Sequence, residues 1–282
     1  RRTKVHLPVI PAKAGIQTHG RISRQPRPMA HGLRLWAPAS AAVTNLRPPS
    51  SSPTIPILES SLSSLFERLK SDAAADWDAY VRHPFVLGLG DGSLPKPSFQ
   101  HYLVQDYLFL IEFARAYAIG VYKAPNAMEM RKASAGMHAI LDETSLHLKL
   151  CAEWGLSQDA VENTPEARAT VAYTRFVQEA GLRGDMLDLI VALSPCVVGY
   201  AEIGTALAAS GTGPDGPNPY APWIHEYAGE GYQAVAEASL AQIDRLAADY
   251  LTEARYPRLL EIFRQAVRLE ADFWQMGLDL AG

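Results

Sequence analysis

Ser194-Pro195-Cys196-Val197-Val198-Gly199-Tyr200-Ala201-Glu202 sets a proline and a cysteine in the middle of an apolar stretch. Leu189, Leu193, Cys196, Tyr200 and Gly204 recur around it at helical spacing, so the thiol and the phenol lie one turn apart on one face. Pro195 lacks a backbone N–H, and its ring presses on the carbonyl of Val191. A kink is therefore expected beside the cysteine, with polar backbone groups near the sulfur. Two readings fit this stretch taken alone. One is a nucleophile in a pocket wall. The other is an inert thiol in a core helix, since free cysteine is among the most buried residue types.

The same helical period extends outward. Ser61 to Val81 carries Leu62, Leu65, Phe66, Leu69, Ala73, Trp77 and Tyr80 on one stripe. Further helices are expected over Pro97 to Lys123, Ala127 to Trp154, Glu166 to Ala180, Asp185 to Ala209, Tyr220 to Ala247 with a break near Gly229 to Gly231, and Tyr256 to Leu280. His83 to Pro95, with three glycines, reads as a turn-rich connection whose glycines take unusual dihedrals. Its glycine spacing fits no nucleotide fingerprint. Ser210 to Pro219 reads as a loop. No β-branched alternating run is long enough for a strand. The fold class is all-α, a single domain over residues 59–282 of about eight helices.

Polar residues inside the apolar stripes are the next signal. Asp106 interrupts the stripe Phe99, Tyr102, Leu103, Phe109, Leu110, Phe113, Tyr117. Glu270 interrupts Leu259, Leu260, Phe263, Val267, Phe273, Trp274, Gly277. A buried carboxylate needs a partner, a raised pKa or a functional reason. Tyrosine hydroxyls, arginines or water could satisfy either one singly; two carboxylates and a thiol from three helices suggest a lined pocket. Tyr173, Tyr200 and Tyr227 are of a type that stacks on a flat heterocycle, although aromatics at helical spacing also serve as plain core. His138, Glu143 and His147 share a helix, but residues 256–282 contain no histidine to complete a di-iron set. The histidines are expected at the surface or as caps, and no metal is expected.

Composition narrows the function classes. Residues 1–58 hold nine Lys or Arg and no acid, whereas residues 59–282 hold 17 basic and 30 acidic side chains, a balance of −13. An acidic body argues against nucleic acid as partner. No apolar run was expected to be long enough to span a bilayer, and the two cysteines, Cys151 and Cys196, form no metal pattern. A cytoplasmic protein with reduced thiols and no membrane partner is the expectation. The basic, proline-rich head is expected to be a disordered leader or a non-native extension, with Met29 a candidate start and organellar import through it a further reading.

The body resembles the TenA family, thiaminase II or aminopyrimidine aminohydrolase. The resemblance rests on His83-Pro84-Phe85-Val86 with Gly88, Gly90-Asp91-Gly92 and Leu94-Pro95; Tyr102-Leu103-Val104-Gln105-Asp106; Tyr173-Thr174; Leu193-Ser194-Pro195-Cys196 with Tyr200 and Glu202; Trp223-Ile224 with Tyr227; and Glu270 with Phe273-Trp274. It covers about residues 60–280. It implies a haem-oxygenase-like helical fold without haem, no cofactor, and a homotetramer. It also implies Cys196 as nucleophile, Glu270 as acid/base, Asp106 as the carboxylate that holds the substrate, and Tyr173, Tyr200 and Tyr227 around a pyrimidine. Many members have a tyrosine, thought to assist the thiol, where this chain has Phe109, which keeps the stacking surface and loses the hydroxyl. The implied activity is thiamin salvage: hydrolysis of 4-amino-5-aminomethyl-2-methylpyrimidine to the hydroxymethylpyrimidine and ammonia, with thiamin cleavage in some members. A binding protein that holds an aminopyrimidine without turnover, and a metal-dependent oxidase of the same fold, are the competing readings.

Overall fold

The amphipathic stripes fold as helices in a computed structural model that describes residues 64–210 and 218–282. Among the described residues there are eleven helices and no strand: α1 (Leu65–Asp72), α2 (Ala74–Val81), α3 (Pro84–Asp91), α4 (Lys96–Lys123), α5 (Ala127–Glu153), α6 (Gln158–Glu162), α7 (Arg168–Arg183), α8 (Met186–Ser210), α9 (Ala221–Ala228), α10 (Glu230–Tyr250) and α11 (Tyr256–Asp279). The expected leader, residues 1–58, and most of the expected loop from Ser210 to Pro219 lie outside the described residues.

Three local differences raise the helix number. The first expected helix divides at Ala73, and Gln158–Glu162 adds a short turn of helix. The third concerns His83 to Pro95, which is a helix over most of its length rather than a connection. His83 caps it by accepting from the Phe85 N–H at 3.3 Å, and Pro84 occupies the first turn, where its missing N–H costs nothing. Only Gly92 needs the left-handed region, with φ of 76°, as the C-terminal cap. Gly88 and Gly90 are present for close packing: a Cβ would lie 3.2 Å from Leu94 and 2.7 Å from Leu207 respectively.

Helix α8 is the centre of the core. It is long and apolar enough, by length and composition, to cross a membrane, against the expectation from sequence; 89% of its apolar window is buried within the protein. A helix apolar all round must be covered on every side, and α8 packs against α7, α9, α10 and α11, with α2, α3 and α4 completing the cover. Asp185 caps its first turn, accepting from Leu187 N–H at 2.9 Å, and Arg255 ties Asp185 and Asp188 to the start of α11. A second anchor joins α4 to α7. Buried Gln105 accepts from Ala167 N–H at 2.8 Å and Thr170 Oγ1 at 2.7 Å, which fixes the level of Tyr173.

The helix continues through Pro195. The Val191 carbonyl, deprived of its usual donor, accepts from Ser194 Oγ at 2.9 Å, and Tyr80 Oη donates to the Pro195 carbonyl at 3.3 Å. Tyr80 reaches this carbonyl because residue 199 is glycine: a Cβ there would sit 2.6 Å from Tyr80 Oη. Gly199→Ala should displace Tyr80 and lower stability by on the order of 1–3 kcal/mol. The check is the urea midpoint, and an unchanged midpoint would show that Tyr80 can shift without cost.

Candidate active site

The residues that broke the apolar stripes converge. Asp106 and Phe109 come from α4, Tyr173 from α7, Cys196 and Tyr200 from α8, Tyr227 from α9 and Glu270 from α11. Glu270 is 1% exposed and accepts from Tyr173 Oη at 2.7 Å. The Cys196 thiol also reaches this carboxyl. Burial pushes the Glu270 pKa up to about 8; the hydrogen bonds from Tyr173 and Cys196 pull down, and the charge of Asp106 pushes further up. The thiol itself is half-buried, and burial raises its pKa well above the usual thiol value, helped by the charges of Glu270, Asp106 and Glu143. Cys196 at rest therefore keeps its proton as a thiol, with the Glu270 carboxyl beside it.

Asp106 is buried and held by a chain of hydroxyls. Tyr102 Oη donates to Asp106 Oδ2 at 3.2 Å, and both Tyr200 and the Trp223 indole, at 3.4 Å, hydrogen bond to Tyr102. His147 approaches from α5, and this corrects the expectation that the histidines lie at the surface. His138 is exposed, but His147 is buried, with Nε2 on the Leu103 carbonyl at 2.8 Å and Nδ1 3.8 Å from Asp106. A carbonyl only accepts, so Nε2 carries hydrogen and Nδ1 faces the carboxyl. The approach is attractive when either partner holds a further proton. Burial raises the Asp106 pKa, while His147 and the Tyr102 hydrogen bond oppose that rise.

Aromatic rings form the walls. Tyr200 and Tyr227 lie 5.0 Å apart between centroids, and Trp223 lies 4.5 Å from Tyr227. Phe109 is 5.1 Å from Tyr173 and 5.7 Å from Phe273, so it packs in the wall beside Glu270. Sequence reasoning missed Tyr232 of α10, which packs edge-on against Tyr227 at 4.7 Å and feels the charge of Cys196. Glu143, read from the sequence only as a possible metal ligand, also acts on the thiol. The only signals for them were Glu143 and His147 one turn apart, and a tyrosine just after the predicted break at Gly229–Gly231.

Residues 71–280 match the model of the TENA/THI-4/PQQC family. The chain belongs to this family. An aminopyrimidine aminohydrolase of Halalkalibacterium halodurans is 37% identical over 215 residues, spanning 76% of this chain and 93% of that protein. A solved structure described as a TenA family transcription regulator, from Silicibacter sp. TM1040, is 42% identical with a TM-score of 0.72, covering 76% of this chain and 96% of its own. A Shewanella denitrificans domain described as having a heme oxygenase-like fold superposes with a TM-score of 0.60 at 14% identity, covering 76% and 92%. That last likeness concerns the fold, which is all-α and heme oxygenase-like here too.

The raised carboxyl has a consequence for stability. A carboxyl whose pKa is higher folded than unfolded holds an extra proton in the native state. Its stabilisation is then complete at acid pH and is lost as pH rises from about 4.5 to about 8. Glu270→Gln should flatten that fall, gaining on wild type about 1.4 kcal/mol for each pH unit spanned. Urea titrations at pH 5 and pH 8 measure it; equal slopes for the two proteins would exclude Glu270 as the linked group.

Proposed function

We propose that the protein is a thiamin-salvage hydrolase, converting 4-amino-5-aminomethyl-2-methylpyrimidine and water to 4-amino-5-hydroxymethyl-2-methylpyrimidine and ammonia. The observation that carries this reading is the Cys196 thiol against a Glu270 carboxyl oriented by Tyr173. Family membership and the named aminohydrolase relatives support it.

A pyrimidine resists direct displacement at its exocyclic methylene. In the proposed path sulfur adds to a ring carbon while the thiol proton passes through Glu270 to a ring nitrogen. Ring electrons then expel the protonated aminomethyl group as ammonia. Glu270, a carboxylate again, takes a proton from the water that adds to the exposed methylene, and sulfur departs with the ring-nitrogen proton, which restores the aromatic ring and the thiol. A pKa near neutrality suits a carboxyl that both takes and gives a proton. Asp106 holds the amidine-like edge of the ring by charge-assisted hydrogen bonds, and Tyr200, Tyr227 and Phe109 clamp its faces. Thiamin is the second candidate substrate, with a thiazole as leaving group. The same reading takes the active form to be a homotetramer, supported by the exposed apolar residues Tyr122, Met128, Met130 and Leu141 on the α4–α5 hairpin. A monomeric mass by light scattering would contradict that part.

Purified protein incubated with the aminomethylpyrimidine should release ammonia, and Cys196→Ser should reduce the rate by at least about a hundredfold. No release from wild type would leave the non-catalytic binding reading in its place. Undiminished release from the variant would remove Cys196 from the mechanism.

A further inference from the structure

Glu143 occupies the inward row of α5. Gly136, Ile140, Glu143, His147 and Leu150 recur at helical spacing. The other members of this row are buried or set against α4: a Cβ on Gly136 would meet the Tyr117 ring at 2.7 Å, Ile140 has no exposure, Leu150 is buried, and His147 bonds the Leu103 carbonyl. Helices α4 and α5 are joined by residues 124–126 alone, so they run antiparallel. Passing from Gly136 to His147 along α5 descends α4 from Tyr117 to Leu103. Glu143 thus leaves α5 at the level of Phe109 and Leu110, one turn from Asp106.

At that position its carboxylate has no hydrogen-bond or ion-pair partner among the described residues. The charges that act on it are those of Asp106 and Glu226, and with burial they push its pKa up to about 8. Its own charge is felt by Cys196, Tyr117 and Tyr227. The charges that act most strongly on the thiol are those of Glu270, Asp106 and Glu143. A half-buried acid without a counter-charge costs free energy, and a ligand that brings positive charge recovers part of it. The nearby tyrosine rings favour the same sign of charge through their faces.

We propose that Glu143 receives the positively charged substituent of the ligand and selects cationic over neutral or anionic groups at the pyrimidine's exocyclic carbon. This rests on the hydrolase reading and adds a residue and a selection rule to it. Glu143 is then a specificity determinant: it draws the aminomethyl cation, or a quaternary azolium in its place, toward Cys196 and Glu270. A phosphorylated substituent would meet the like charges of Glu143 and its neighbouring carboxyls and be refused.

The test is equilibrium binding of two pyrimidines to full-length protein carrying Cys196→Ser, which blocks turnover. One is the aminomethylpyrimidine, protonated at neutral pH, and the other is the neutral hydroxymethylpyrimidine. Adding Glu143→Gln should weaken the cation by about tenfold or more and the neutral ligand by less than about threefold. Glu143→Asp, which keeps the charge, should retain the preference. With Glu143 intact, affinity for the cation should fall with added salt while that for the neutral ligand holds, a readout that does not depend on the Gln variant folding. Equal losses for both ligands, or none, would overturn the role of Glu143 and leave the hydrolase reading standing. Failure of both pyrimidines to bind with Glu143 intact would remove the hydrolase reading, and this inference with it.

Discussion

Helix α8 presents apolar side chains around nearly its whole circumference, and water cannot be allowed to touch most of it. That requirement arranges the rest of the molecule. Helices from both ends of the described chain close around α8, and several bring a side chain to the stretch around Cys196. Cys196 and Tyr200 are placed by the same burial that hides Leu189, Leu193 and Val197. The backbone defect at Pro195 is repaired locally by Ser194 and at a distance by Tyr80, so the thiol sits beside a rigid segment. Position and rigidity both follow from the packing of a core helix.

The site holds its groups in unusual protonation states chiefly by withholding solvent. Asp106, Glu143 and Glu270 have raised pKa values, burial is the leading cause for each, and the charge of Asp106 adds to the rise of the other two. Such an arrangement costs stability, which is the usual condition of a catalytic carboxyl. It also shifts the question raised by Phe109. In the proposed path the thiol is protonated at rest, so the group that matters first is the acceptor of its proton, and Glu270 lies beside it whether or not residue 109 carries a hydroxyl.

Much of this was legible in the sequence. Asp106 and Glu270 were visible because each interrupts a strong apolar stripe, on α4 and on α11, and such interruptions are rare without cause. Cys196 was visible because proline marked its helix. What could not be read had physical reasons. The glycines of α3 imitate a turn, and only the packing of Leu94 and Leu207 shows that they serve close approach. Helix α5 is charged along much of its length, so its inward row is faint; Glu143 and His147 look like members of a solvated face until α4 is laid against them. Tyr232 follows a helix break, where the period restarts and the facing direction is lost.

The groups around the thiol come from Asp106 to Glu270, one or two from each of several helices, and α11 is made well after α8. During synthesis the ribosome therefore releases Cys196 before Glu270. Until α11 docks, α8 lacks one of its main neighbours, and the thiol has neither the Glu270 carboxyl beside it nor the Tyr173–Glu270 hydrogen bond. No nascent fragment short of α11 holds both Cys196 and Glu270, so the pair that the proposed mechanism uses forms only as the fold is completed.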